Sequence, residues 1–332
     1  MSALLSMAKV TLLGSENASR STKTPTFLPS RDIPLLTDRV ILITGAAGDL
    51  GRQTAIELFR HGKPAHIYVA DLPRPDGGAA ALDAIRAEVP DDIKDAVKLT
   101  FLDLDLGSFE SIQKCVQTFK EGEKRLDVLI CNAGIMPVRT GLTKDGYELV
   151  FGVNYLGHAL LTRLLLPVMS ETVGTGQSDV RVVFVASEGH AMAPKGGVVF
   201  DGLRTECKGL SHYKRYGQSK IALIALAKEL ARECPAIKVA AIHPGRISTG
   251  LALDLAENSK LVKYMGPFMT WVTTTVELGA RNQVWAATSP DVVSGEYYVP
   301  VGIVDKKTLV EKDKTLSTRL WEWTEKELKD VE

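Results

Sequence analysis

Tyr216-Gly217-Gln218-Ser219-Lys220 sets a phenol and an ammonium four residues apart. On a helix that spacing stacks them on one face, one turn from each other. A free tyrosine titrates near ~10, too high to accept a proton readily at neutrality, and an adjacent positive charge favours its phenolate. A fall of about three units needs roughly 4 kcal/mol of differential interaction, within reach of two nearby cations in a partly dry site. The pair points to proton transfer, with Tyr216 as acid/base and Lys220 beside it. Such spacing is common by chance, so its weight comes from the surrounding residues.

Two further polar residues are placed to join it. Ser187 closes the apolar run 181–186, and its hydroxyl would hold a reacting oxygen in position. By itself, a serine ending a strand is only a turn residue. Asn154 lies among apolar neighbours in a helical run, residues 147–165. Its amide is either satisfied among packed helices or orders a water that relays protons from Lys220.

A different chemistry is written into Thr44-Gly45-Ala46-Ala47-Gly48-Asp49-Leu50-Gly51, which follows an apolar run and opens a helix. Gly45, Gly48 and Gly51 let the backbone turn sharply and approach a pyrophosphate. The helix start at Asp49 and Leu50 supplies free N–H groups and a positive dipole end. The next apolar run ends at Asp71, where a carboxylate would accept hydrogen bonds from adenosine ribose hydroxyls and repel a 2′-phosphate. With Ala46 and Ala47 in the loop and no basic residue there, NAD is preferred over NADP. Arg52 and Arg74 are the side chains that could still reach a 2′-phosphate.

These groups must be carried by a regular scaffold. Short apolar runs recur at residues 40–43, 66–70, 97–102, 128–131, 180–185 and 238–242, with amphipathic stretches such as 53–60 and 108–120 between them. Continuous apolar strands imply burial on both faces, and strand–helix alternation implies right-handed βαβ units. The expected fold is α/β: a single-domain, doubly wound parallel sheet of Rossmann type with helices on both faces. Residues 1–37, polar and rich in Ser, Thr and Pro, read as an arm outside the core. Residues 38–305 read as the catalytic domain, and 306–332 as a helical extension packing back on the body through Leu320, Trp321 and Trp323.

Lysine plus arginine and aspartate plus glutamate number 40 each, which gives no support to a nucleic-acid surface. Cys115, Cys131, Cys207 and Cys234 lack metal-ligand or framework spacing, so neither a metal site nor a disulfide scaffold is expected. No apolar run reaches the roughly 18 residues of a membrane span, and the N-terminus lacks a secretory pattern. The expected location is cytoplasmic.

Taken together, the motifs resemble the short-chain dehydrogenase/reductase family over about residues 38–300, closest to its retinol-dehydrogenase-like and WW-domain-oxidoreductase-like members. The resemblance rests also on Cys131-Asn132-Ala133-Gly134, on Asp145-Gly146-Tyr147-Glu148 followed by Asn154-Tyr155-Leu156-Gly157-His158, and on His243-Pro244-Gly245-Arg246-Ile247-Ser248-Thr249. It implies a catalytic tetrad of Asn154, Ser187, Tyr216 and Lys220. It also implies an adenine contact at Asp103 (with Asp105 the alternative register) and cofactor contacts at Asn132, Ala133, Gly134, Pro244, Gly245, Ile247 and Thr249. A mobile lid over residues 250–277, greasy in composition, implies a hydrophobic alcohol or carbonyl substrate. Pairing through the helices at 147–167 and 216–232 implies a homodimer or homotetramer. The loop departs from the family's usual TGxxxGxG, with its middle glycine displaced by one residue. Its GxxGxxG form is familiar from extended-type epimerases and dehydratases, which stand as the alternative beside a non-catalytic, cofactor-binding regulator.

Overall fold

β-Branched and leucine-rich runs become strands here because the central ones are buried on both sides. Val40 and Leu42 of β1 (Val40–Thr44) enter one hydrophobic core, while Ile41 and Ile43 enter a second on the opposite face of the sheet. Alternate residues therefore need equal hydrophobicity, the condition of a parallel sheet covered by helices. A computed structural model describes residues 27–176, 179–246 and 275–331. The remaining strands are β2 (His66–Asp71), β3 (Lys98–Asp103), β4 (Val128–Cys131), β5 (Arg181–Val185), β6 (Lys238–Ile242), β7 (Glu296–Val299) and β8 (Ile303–Val304). They form one sheet in the order β3-β2-β1-β4-β5-β6-β7-β8, parallel except for the β7–β8 pair. This is the doubly wound α/β fold expected from the run pattern.

Strands β1 to β6 fall within one or two residues of the expected runs. The short β7 and β8 escaped that reading because neither follows a long apolar run.

Among the described residues, the α-helices longer than four residues are α1 (Asp49–Glu57, continued by a wide turn at Leu58–Gly62), α2 (Ala79–Ala87), α3 (Phe109–Gly122), α4 (Leu149–Gly174), α5 (His212–Glu233), α6 (Val276–Thr288) and α7 (Leu316–Glu327). Helix α6 packs on α1 on one face, while α3, α4, α5 and α7 cover the other. One wide turn, Gly152–Leu156, interrupts α4: the Gly157 amide bonds the Gly152 carbonyl five residues back. Gly157 is required there, since a β-carbon would lie 2.4 Å from the Leu106 carbonyl oxygen.

Three expectations change. Residues 27–36 are not outside the core: Phe27, Ile33 and Leu36 are buried in the cluster under α1. Helix α4 is long and apolar enough to cross a membrane, contrary to the run-length count, because its helical register includes several small and weakly polar residues. Most of it, 72% of the apolar window, is buried within the body, as expected of a core helix packed between neighbours. Finally, α7 lies on α4 and α5, the helices expected to pair subunits. Tyr155 Oη meets Thr324 Oγ1 at 2.6 Å, Tyr147 Oη donates to Glu327 at 2.8 Å, and Leu316, Leu320 and Leu328 join the core. Among the described residues the four cysteines are unpaired, and no group of three metal-ligating side chains occurs.

Candidate active site

Two of the three loop glycines are dictated by packing. Gly45 turns the chain at φ +67°, and a β-carbon there would sit 2.9 Å from Ala133 Cα. A β-carbon on Gly51 would meet the Gly45 carbonyl oxygen at 2.4 Å and Asn132 Nδ2 at 2.7 Å. At Gly48 the single neighbour within reach is the Gly45 oxygen, at 3.5 Å, so its bare backbone faces open space. Gly48 caps α1 without a side-chain bond, and the first-turn amides of Asp49, Leu50 and Gly51 have no acceptor within the helix. Open backbone and amides without a helical acceptor at a helix start give a cradle whose geometry can receive a phosphate group.

Asp71, at the end of β2, is fixed beside this cradle. Its Oδ2 accepts from the Ala47 amide at 2.9 Å and its Oδ1 from the Leu72 amide at 2.8 Å. Asp103 pairs in register with Asp71 across β2 and β3 and is exposed. The competing Asp105 is occupied instead by the Gly107 amide at 2.9 Å and by Lys144 at 3.1 Å. The structure thus separates two carboxylates that the sequence left in uncertain register.

β1 and β4 are neighbours whose following connections leave toward opposite flanks of the sheet, the place where open α/β sheets bind ligands. Asn132 Nδ2 donates to the Thr44 carbonyl at 2.8 Å, and Gln283 on α6 donates to Asn132 Oδ1 at 3.1 Å. The amides of Asn132 and Ala133 both donate to Thr44 Oγ1, at 2.9 and 3.0 Å.

The remaining side chains gather one strand further along. Helix α5 starts at His212, four residues before the expected start, so Tyr216 lies in its second turn rather than its first. Ser187, two residues past β5, caps a tight turn, Glu188–Met192, that packs on α5 beside Tyr216. Two glycines permit that fit. A β-carbon on Gly189 would lie 2.8 Å from Tyr216 Cε1, and one on Gly217 would lie 2.5 Å from the Ala193 nitrogen. Lys220 Nζ sits 5.5 Å from the Tyr216 ring centroid and donates to the Val185 carbonyl at 2.7 Å. Asn154 is held at both ends of its amide, accepting from the Ile135 amide at 2.7 Å and donating to the Ile135 carbonyl at 2.9 Å. Gly134 marks the meeting point: a β-carbon there would be 3.4 Å from Asn154 Oδ1 and 3.5 Å from Lys220 Nζ. Asn154, Ser187, Tyr216, Lys220 and the Asn132-Ala133-Gly134 turn are therefore brought together. Pro244 and Gly245 follow β6, with Gly245 at φ +94°. Ile247, Thr249 and nearly all of the expected lid lie outside the described residues.

The electrostatics differ from the expectation. Burial pushes Lys220 down to about 7, so its ammonium is not fully formed at neutrality. Burial likewise raises the Tyr216 phenol above its ordinary value; the Ser187 side chain opposes this and the Glu188 charge adds to it. Glu188 is itself paired, with Arg246 Nε at 2.6 Å. The net effect of the protein's own groups is therefore not to lower Tyr216, because removal from water outweighs the Ser187 hydrogen bond. Around the phenol, Met136 and Val150 are buried with it, and Met192 and Tyr213 pack alongside, forming an apolar wall.

A sequence profile described as short chain dehydrogenase matches residues 39–260. A short-chain dehydrogenase/reductase of Aspergillus calidoustus is 36% identical, over 90% of this chain and 96% of its own length. The chain belongs to the short-chain dehydrogenase/reductase family. Human retinol dehydrogenase 14 is 34% identical, over 89% of this chain and 87% of its own. The crystal structure of an uncharacterised protein of Mycobacterium paratuberculosis superposes with a TM-score of 0.68 at 28% identity, covering 92% of this chain and 98% of the other. This is a family of oxidoreductases acting on CH–OH groups with NAD or NADP.

In this short-chain dehydrogenase/reductase, one organising residue escaped sequence reading. Arg215 precedes Tyr216 and is almost fully buried; its Nη2 donates to the Val138 and Arg139 carbonyls at 2.9 and 3.1 Å, and its Nη1 to the Leu210 carbonyl at 3.1 Å. Glu148, fully buried at the start of α4, faces Arg215 Nε at 3.4 Å. Arg215 fastens the loop after Gly134 to the helix that carries Tyr216. The arginine beside the tyrosine was visible in the sequence, but its carbonyl partners come from a loop more than 70 residues away.

Proposed function

We propose that this protein moves a hydride between a nicotinamide dinucleotide and an apolar alcohol or carbonyl compound, with Tyr216 as the acid/base. The observation that carries the reading is that Lys220 and Asn154 meet at Gly134, with Tyr216 beside Lys220 and Ser187 beside Tyr216, in a chain that also has an open cradle at Gly48. The cradle residues fit a dinucleotide. The amides of Asp49, Leu50 and Gly51 would hold the diphosphate, Asp71 the adenosine ribose, Asp103 the adenine, and Asn132 to Gly134 the inner ribose. Pro244, Gly245, Ile247 and Thr249 would hold the nicotinamide end. When bound, the nicotinamide supplies or accepts the hydride.

In the oxidising direction Tyr216 takes the alcohol proton, and Ser187 holds the same oxygen so that the carbinol hydrogen is aimed correctly. In the reducing direction Tyr216 returns that proton to the carbonyl oxygen. The positive charge of an oxidised nicotinamide and of protonated Lys220 supports the phenolate that burial opposes. Asn154 serves the path by which the proton leaves past Lys220. The wall of Met136, Met192 and Tyr213 supports an apolar substrate, in line with a relative named for retinol. The carboxylate at Asp71 supports NAD over NADP. A cytoplasmic location goes with this reading, as α4 is buried in the body. Self-association through α4 and α5 would have to accommodate α7.

The test is Tyr216→Phe against a panel of long-chain alcohols, aldehydes and ketones, followed by cofactor absorbance. Turnover should fall by about 10²-fold or more, while dinucleotide affinity stays within about twofold (under ~0.4 kcal/mol). Unchanged turnover would remove Tyr216 from the mechanism.

A further inference from the structure

His158 is fully buried on α4, one turn after Asn154, and it is not one of the groups that converge on Gly134. Its two ring nitrogens nevertheless reach both halves of the site. Nδ1 lies 2.8 Å from the Asn154 carbonyl oxygen, and Nε2 lies 2.9 Å from Thr44 Oγ1. A carbonyl can only accept, so Nδ1 carries the hydrogen and Nε2 is the acceptor in the neutral ring. Burial holds the imidazole at about 4, well under its ordinary value, so the ring is neutral near pH 7.

That assignment orients the Thr44 hydroxyl hydrogen. Thr44 Oγ1 already accepts from the Asn132 and Ala133 amides, at the floor of the cradle, and so gives its own hydrogen to His158 Nε2. The alternative acceptor, the Ile130 carbonyl, is distant at 3.5 Å. On the other side, Asn154 Nδ2 donates to Ser219 Oγ at 3.1 Å, and Ser219 Oγ donates to the Tyr216 carbonyl at 2.8 Å. Two runs of hydrogen bonds therefore meet at Asn154: the Ala133 amide, Thr44 and His158 end on its backbone carbonyl, and its side-chain amide leads through Ser219 to the Tyr216 backbone carbonyl. The Asn154 link lies inside the wide turn Gly152–Leu156 of α4, where the regular helical ladder is interrupted.

We propose that His158 is a positioning residue that locks the cofactor cradle to the Asn154–Tyr216 machinery, through a one-donor, one-acceptor link between Thr44 and the Asn154 carbonyl. The proposal rests on the dinucleotide reading of the cradle. The ring touches no reacting atom; it acts by keeping Thr44 under the Ala133 turn while Asn154 stays aligned on α5. A protonated or apolar side chain would break the direction of the first run and leave a buried hydroxyl and a buried carbonyl competing for partners.

His158→Gln and His158→Leu separate this role from plain packing, because a glutamine amide offers one donor and one acceptor at a separation close to that of the two ring nitrogens. NADH and NADPH binding would be followed by fluorescence, with kcat and KM measured on the best compound of the panel. His158→Leu should weaken dinucleotide binding by about tenfold (~1.4 kcal/mol) and lower kcat, with the KM for alcohol little changed. His158→Gln should recover both to within about threefold of the parent (~0.7 kcal/mol). A folded His158→Leu with parental affinity and kcat, or a His158→Gln as impaired as the leucine variant, would overturn the proposal. If His158→Leu fails to fold, the unmodified protein decides. With ¹⁵N-labelled histidine, the His158 ring signals (assigned through His158→Gln) should move on titration with NADH or NADPH, and signals that stay fixed would overturn it. Loss of all dinucleotide binding in the unmodified chain would instead overturn the underlying functional reading together with this link.

Discussion

Around Gly45, Gly48 and Gly51 the site is made of backbone and of side chains left out. Two glycines admit loop atoms within 3 Å of where a β-carbon would stand, and the third leaves open space. Around Tyr216 the site is made of side chains taken out of water. Lys220, Asn154 and Ser219 are almost fully buried, and each is held by a specific hydrogen bond. The cradle costs little solvation and depends on steric clearance. The Tyr216 end carries a desolvation penalty on any charge formed there, on the Lys220 ammonium and the Tyr216 phenolate alike. One end is therefore broken by adding an atom, and the other by removing a charge.

The sharpest way to test that contrast is Lys220→Met. Turnover should fall by about 10²-fold or more, yet the protein should become more stable. The sign follows from Lys220 standing at about 7 when folded against an ordinary 10.5. Between those values the unfolded chain binds more protons, so the lysine destabilises the fold increasingly as pH falls from 10.5 toward 7 and by a constant amount below. The melting temperature of Lys220→Met should exceed the parent's most at pH 7 and below, and converge with it near pH 10. A variant less stable than the parent at pH 7 would show that the ammonium is compensated inside the protein.

Gly51→Ala should show the opposite pattern. Its methyl meets backbone at 2.4 Å, so urea denaturation should report a loss of about 3 kcal/mol or failure to fold. Gly48→Ala sharpens the comparison further. With no close neighbour its stability should stay within about 0.5 kcal/mol of the parent, while dinucleotide affinity falls by about tenfold (~1.4 kcal/mol). Unchanged affinity would show that phosphate does not approach there. The smallest effect is expected at Asp71→Ser, which should shift the NADP-to-NAD ratio of kcat/KM toward NADP by about tenfold or less (~1.4 kcal/mol). An unchanged ratio would move the ribose contact away from Asp71.

Periodicity in the sequence was enough for the sheet. Strands buried on both faces show as uninterrupted apolar runs, and six of the eight strands announced themselves in this way. The two that did not, β7 and β8, are short and belong to the far edge. Glycines required by a turn or a close approach, and a tyrosine and lysine one helical turn apart, are also local features, so Gly45, Gly51, Tyr216 and Lys220 were legible without a fold. The direction of the Tyr216 shift was not, because it depends on how much water the folded chain removes from the pair.

The sequence by itself thus determined the architecture and the chemical types at the site, since strand period, helix period and turn sterics act between residues a few positions apart. Tertiary structure alone decided the relations among distant residues: which of Asp103 and Asp105 is left unengaged, that Arg215 grips the loop after Gly134, that α7 lies on α4 and α5, and that His158 joins Thr44 to Asn154. Hydrogen bonds and desolvation act across space, and their partners here are separated by as many as 229 residues along the chain, between Thr54 and Gln283.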